Sequence, residues 1–315
     1  MSSPNTNVNI DAWDSFAKHW NPNVVENDMY RECLLPTLRE LAGIGGEDEQ
    51  IKVLQGQWAL DLGTGDGLIA EMLRKAGAFV IAVDASQEMR RIAENRFKGN
   101  KISGIELKSV NLQDKDSLST FVTDMGEETR RFDLITCSLT LKELPRLDLL
   151  AEALPKLLKP DGRVVVVDLH PVLSKPAGHR VMEVKEDEKG TQIFPNHIEV
   201  TRYLDIPPVP TRSYKEEEGV PLVTTTYHRS VSALLQPFFE NQLVMDAMRE
   251  PGLKKREEPR DASKKSKEPL ESYRRFDQFP MLLAFRLRKS RSVADPKFAA
   301  TRQSSLPSLE YNLLK

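Results

Sequence analysis

The sequence predicts a doubly wound α/β fold built on a mostly parallel sheet, and three observations carry that expectation. An apolar strand over residues 57–62 contains Asp61 near its end and turns through Gly63, Gly65 and Gly67 into a helical pattern. From there to Leu169 strands and helices alternate regularly. Val164 to Val167 is apolar throughout, as suits a strand buried on both faces.

Each element follows from local pattern. Residues 1–10 are polar and read as a loose end. Residues 12–43 read as helical, with Trp13, Phe16, Ala17 and Trp20 forming one aromatic face at i, i+3, i+4 and i+7. Asn21-Pro22-Asn23 interrupts it. A second stretch, 24–42, buries Leu34, Leu35, Leu38 and Leu41, and Pro36 kinks or divides it. Strands are expected at 57–62, 79–83, 105–110, 132–137 and 163–169. The helices between them are expected at 68–76, 86–97, 117–125 and 147–158, with Ser86 as N-cap of the second. Lys159-Pro160-Asp161-Gly162 reads as a turn. The alternation then stops. Residues 175–227 are charged, carry four prolines between Pro195 and Pro210, and read as an insertion of loops and strands. A helix at 230–240 and strands at 242–248 and 279–287 complete the sheet. Between those strands, residues 254–275 hold nine basic and five acidic side chains and read as a mobile surface loop.

The expected organisation is a helical lid over 1–46, a core over 47–174, a capping insertion over 175–229, and completion of the core over 230–289. The charged loop is set at 252–276 and a tail at 290–315, where Leu306, Leu309, Tyr311, Leu313 and Leu314 cluster. A chain of 315 residues with 39% hydrophobic and 29% charged residues is ordinary for a soluble globular protein. A net charge of −2 offers no electrostatic case for nucleic acid or an anionic membrane. Cys33 and Cys137 have no metal-type spacing and fit a reducing compartment. With no secretory signal pattern and no apolar run near the length of a membrane span, the expected location is the cytosol.

The chemistry gathers at the C-terminal ends of the strands, where open α/β sheets bind ligands. A pyrophosphate seat needs Gly-x-Gly-x-x-Gly, but here the third glycine comes one residue early and Leu68 takes its place. Asp84 ends the second strand, where a carboxylate can accept from both hydroxyls of a ribose. Asn111 follows the third strand and Ser138 closes the fourth.

In this order and register, these motifs resemble those of class I S-adenosylmethionine (SAM)-dependent methyltransferases over roughly residues 53–169, and more weakly to 289. The resemblance implies a seven-stranded Rossmann-like sheet and SAM as methyl donor. It assigns Asp61, Gly63, Thr64 and Gly65 to the methionine portion, and Asp84, Ala85 and Met89 to ribose and adenine. Asn111 and Leu112 go to the adenine ring, Asn111 standing where the family usually has an acid. Ser138 and Leu139 go beneath the transferred methyl, and Lys142-Glu143-Leu144 stands where the family often has a polar pair.

Asp168-Leu169-His170-Pro171 and Thr226-Tyr227-His228-Arg229 are similar to a subgroup acting on small molecules. That similarity makes His228 and His170 candidate bases, since imidazole can take a proton near neutral pH. Trp20, Tyr227, Arg229 and Leu139 are candidate substrate contacts, with Tyr203 and Tyr214 completing an apolar pocket. No metal site is expected. The implied function is methyl transfer from SAM to a small molecule of secondary metabolism, oxygen favoured over sulfur, nitrogen or carbon. The alternative is a methyltransferase-fold regulatory protein that binds SAM and works through protein partners.

Overall fold

The computed structural model describes residues 8–20, 24–45, 52–125, 131–173, 178–186, 188, 190, 192–193, 195–213, 222–255 and 273–290. Its centre is a seven-stranded sheet of strands β1 (Trp58–Leu62), β2 (Phe79–Asp84), β3 (Ile105–Ser109), β4 (Phe132–Ser138), β5 (Leu158–Leu169), β12 (Leu243–Arg249) and β13 (Leu282–Lys289). Their order across the sheet is β12-β13-β5-β4-β1-β2-β3. The pairs from β3 through β5 are parallel, and β13 runs antiparallel to both β5 and β12.

Alternation along the strands builds two cores. Leu60, Leu62, Val164 and Val166 pack on one face with α5 (Lys115–Met125), α6 (Asp148–Leu157) and α7 (Val231–Glu240). Ala59, Val80, Val165 and Val167 pack on the other with α2 (Leu35–Ala42), α3 (Leu68–Lys75) and α4 (Gln87–Gly99). Two-sided burial is thus why 164–167 carries no polar residue.

The helical elements between the strands lie where the periodicity sets them, and Ser86 caps α4, its Oγ accepting from Met89 N at 3.1 Å. Four details differ. The N-terminal helix α1 already spans Val8–Phe16, so 8–10 is ordered. The second stretch is not one α-helix. It passes through a 3₁₀ turn (Val24–Glu26) and a π-helical segment (Met29–Leu34) before α2, with Pro36 in the first turn of α2, where a missing N–H costs nothing. The Lys-Pro-Asp-Gly stretch is an excursion inside β5: Phe132 pairs with Leu158, but Leu134 with Arg163. The ends of the charged loop are packed: Leu253 is buried, and Tyr273–Phe276 forms a 3₁₀ turn whose Arg274 is buried against Asp28 and Glu32. Residues 256–272, the tail from 291 and Tyr214 lie outside the described residues.

Among the described residues the insertion contains three antiparallel pairs: β6 (Gly178–Met182) with β9 (Asn196–Val200), β7 (Lys185–Glu186) with β8 (Gln192–Ile193), and β10 (Val209–Ser213) with β11 (Leu222–Thr226). No helix among the described residues is long and apolar enough to cross a membrane. Both cysteines are buried and unpaired.

Candidate functional site

The ends of β1, β2, β3 and β4 open into a cavity of about 330 Å³. Asp61 lies inside the sheet, its Oδ1 accepting from Thr136 Oγ1 at 2.7 Å. The glycine turn crosses above it. Gly63 has φ +64°, and a Cβ there would overlap Thr140, so only glycine lets the turn lie against the chain leaving β4. At Gly65 (φ +54°) a Cβ would touch little but Met89; the space it would fill is the cavity itself. Gly65 N donates to Asp84 Oδ2 at 2.8 Å and Ser86 N to Asp84 Oδ1 at 2.9 Å, which fixes that carboxylate across the mouth. Burial raises the Asp84 pKa against the pull of these two amides.

Further along the turn, Asp66 is held by Arg96 (2.6 Å) and accepts from Trp20 Nε1 at 3.1 Å. Trp20 meets Trp13 edge to face at 6.0 Å, and both line the cavity. Helix α1 is pinned at both ends. Asn9 bonds Glu143 Oε2 (2.9 Å) and exchanges bonds with the Thr225 backbone, while Asp14 accepts from Ser86 Oγ (2.6 Å) and Glu88 N (3.0 Å) at the start of α4. The π-helical segment contributes Tyr30, whose pKa burial and Asp66 push up to about 12, so the phenol stays protonated.

Three buried polar atoms on this wall have no hydrogen-bond partner within normal geometry: Asp61 Oδ2, Thr64 Oγ1 and Ser138 Oγ. Leaving such atoms unmatched costs roughly 1–3 kcal/mol each. Burial pushes Asp61 up to about 7, against the pull of the nearby Thr64 and Thr136 hydroxyls. The set fits the methionine end of SAM, whose ammonium would satisfy and ionise Asp61, and whose ribose diol would find Asp84.

All ten residues expected at the methyl donor line this one cavity: Asp61, Gly63, Thr64, Gly65 and Asp84, then Ala85, Met89, Asn111, Leu112 and Ser138. Asn111 is oriented by its own turn, its Oδ1 accepting from Gln113 N at 2.9 Å, so one lone pair of that oxygen is committed. Of the expected substrate contacts, Trp20 and Leu139 line the cavity, and Tyr227 and Arg229 do not. Neither histidine reaches it. His170 is buried, with Nε2 on Glu250 (2.9 Å) and Nδ1 accepting from Val172 N (3.2 Å). His228 sets Nε2 on Tyr203 O (2.7 Å).

Instead, the Tyr-His-Arg segment braces the turn after β4. Tyr227 N donates to Lys142 O, and Arg229 donates to the carbonyls of Leu141 and Leu144. That turn carries Lys142 and Glu143 into the cavity. It is launched by Leu139, which lies in the left-handed region (φ +54°) with its N–H on Val167 O. Asn9 and Tyr30 are among the cavity residues to which the sequence assigned no role, and Lys142 and Glu143 were marked only as a polar pair. Asn9 sits one turn before Trp13 on the same helix face, a signal open to the sequence. The π-helical placing of Tyr30 has no such signal.

A parallel sheet with one antiparallel strand at β13, a glycine turn after β1 and a carboxylate at the end of β2 define the class I SAM-dependent methyltransferase fold. Residues 60–166 match the family model described as a methyltransferase domain. The structure is similar to an S-adenosylmethionine-dependent methyltransferase from Mesorhizobium loti (TM-score 0.53, 21% identity, 81% of this chain and 96% of that one). It is also similar to a putative one from Listeria monocytogenes (TM-score 0.52, 18% identity, 82% and 100%). In sequence the chain is 31% identical over 116 residues to a ubiquinone biosynthesis O-methyltransferase of Coxiella burnetii, covering 37% of this chain and 45% of the relative. It is 30% identical over 171 residues to that of Bordetella avium, covering 52% and 62%. The chain thus spans about half the length of the curated relatives it matches.

Proposed function

We propose that this chain transfers the methyl group of SAM to an oxygen of a small-molecule acceptor. One observation carries the reading: a single cavity joins unmatched polar atoms suited to the methionine end of SAM to an apolar, aromatic chamber roofed by α1. Its volume lies at the low end of small-molecule sites. When bound, SAM supplies a methyl carbon already activated by its sulfonium. The protein's part is therefore to align and to exclude water, and alignment alone can recover roughly 7–11 kcal/mol of barrier. Asp61 and Asp84 hold the donor, Trp13 and Trp20 close over it, and the turn after β4 faces the acceptor. Similarity to two ubiquinone biosynthesis O-methyltransferases supports oxygen as the acceptor atom. A secondary metabolite, a cytosolic setting and the division into lid (1–46), core (47–174), cap (175–229) and completing segment (230–289) belong to the same proposal.

Incubation with methyl-labelled SAM and a panel of hydroxylated small molecules tests it. The expected result is label in at least one acceptor together with S-adenosylhomocysteine. SAM binding with label in no acceptor, and loss of a protein complex on deleting residues 256–272, would favour the regulatory alternative.

A further inference from the structure

The geometry points to Lys142 as the residue that receives the acceptor, and to an aromatic acceptor whose nucleophile is an ionised phenolic oxygen. This rests on the methyl-transfer reading above. Lys142 lines the cavity, and its Nζ donates to Glu143 Oε1 at 2.7 Å. An ammonium has three N–H donors, and among the described residues no second acceptor engages it. The other Glu143 oxygen accepts from Asn9 of the roof at 2.9 Å. One carboxylate therefore fixes both the cation and the lid.

The surrounding charges are Glu143 on the same turn, Asp168 at the end of β5 and Arg229 beyond β11, with the Tyr227 phenol beside them. Burial pulls the Lys142 pKa down, but Glu143 and Asp168 pull it up further, so the side chain stays an ammonium. A protonated lysine cannot act as a base. It can hold an oxyanion, and such charge-assisted bonds are about twice as strong as neutral ones. Trp13, Trp20 and Tyr30 line the same space and suit a planar ring. Neither histidine reaches the cavity, so ionisation on binding takes the place of a histidine base. The acceptor's O–H proton leaves to solvent as it enters. The oxygen lone pair then forms the C–O bond to the methyl carbon while the C–S bond breaks, its electron pair staying on sulfur.

The test uses 4-nitrophenol, whose phenolate alone absorbs in the visible, titrated against pH with the full-length protein, with and without S-adenosylhomocysteine. With wild type, the bound probe's apparent pKa is expected to fall by about one unit, which corresponds to roughly tenfold tighter binding of the phenolate. Lys142→Met is expected to abolish that shift while leaving S-adenosylhomocysteine affinity unchanged, and Lys142→Arg is expected to restore it. An equal shift in Lys142→Met overturns the proposal, as does wild type that binds S-adenosylhomocysteine but not the phenolate. A phenolate shift without any S-adenosylhomocysteine binding leaves Lys142 as an oxyanion site and sinks the methyl-transfer reading instead.

Discussion

Asp61 is a carboxylate whose ionisation burial disfavours. Its pKa stands at about 7, against an ordinary value near 3.9. A raised carboxylate pKa gives stability that is fully present below the ordinary value and lost as pH rises to about 7. An ammonium ligand reverses the preference by favouring the ionised form. S-adenosylhomocysteine is therefore expected to bind about tenfold more weakly at pH 6 than at pH 8, releasing close to one proton at pH 6. Calorimetry in buffers of different ionisation enthalpy checks this, and Asp61→Asn is expected to remove both effects. Affinity that is flat with pH in wild type would show that Asp61 does not meet the ligand's ammonium. At this scale the wall carrying Asp61 and Asp84 was legible, because both acids lie at strand ends and a glycine turn follows the first. The opposite wall was legible only in part, through Trp20 and Leu139. Lys142 and Glu143 reach the cavity through the left-handed conformation of Leu139, which no sequence pattern announces.

At the scale of elements, the cap of α4 does two jobs. Ser86 Oγ accepts from Met89 N and donates to Asp14 of α1, so one hydroxyl starts a helix and seats the roof. Ser86→Ala is expected to cost about 1 kcal/mol of stability, the usual price of a lost cap. The loosened roof is also expected to give a smaller tryptophan fluorescence change on ligand binding, Trp13 and Trp20 lining the cavity. Chemical denaturation and a fluorescence titration read the two separately, and an unchanged stability would contradict the capping role. Strands and helices from β1 to α6 were readable because each obeys one period, and most end at a glycine, proline or acid. The π-helical segment and the excursion in β5 were not, since both are set by what they pack against. The charged loop misled in the other direction. Its composition suggested full solvation, yet the ion pairs of Arg274 with Asp28 and Glu32 tie its end to the segment carrying Tyr30.

In the molecule as a whole, no described side chain of α1 joins either hydrophobic core; α1 is held by Asn9 and Asp14, and Trp20 just beyond it by Asp66, so the roof is tied by polar bonds to the turns at the strand ends. Two-sided packing makes the sheet rigid, and the site draws on four of its strand ends. Strand alternation indicated a doubly wound sheet. The family resemblance implied seven mostly parallel strands, but the strand order and the reversed β13 were not legible, since periodicity does not record pairing. Gly65 offers the most direct test of the whole arrangement. Its Cβ would find open space, so Gly65→Arg is expected to fold, with a backbone penalty of about 1–2 kcal/mol from φ +54°, and to thrust its side chain into the donor's place. Titration calorimetry with S-adenosylhomocysteine should give one site per chain in wild type and no heat of binding in folded Gly65→Arg. No binding by wild type, or equal binding by the folded variant, would contradict a SAM site in this cavity.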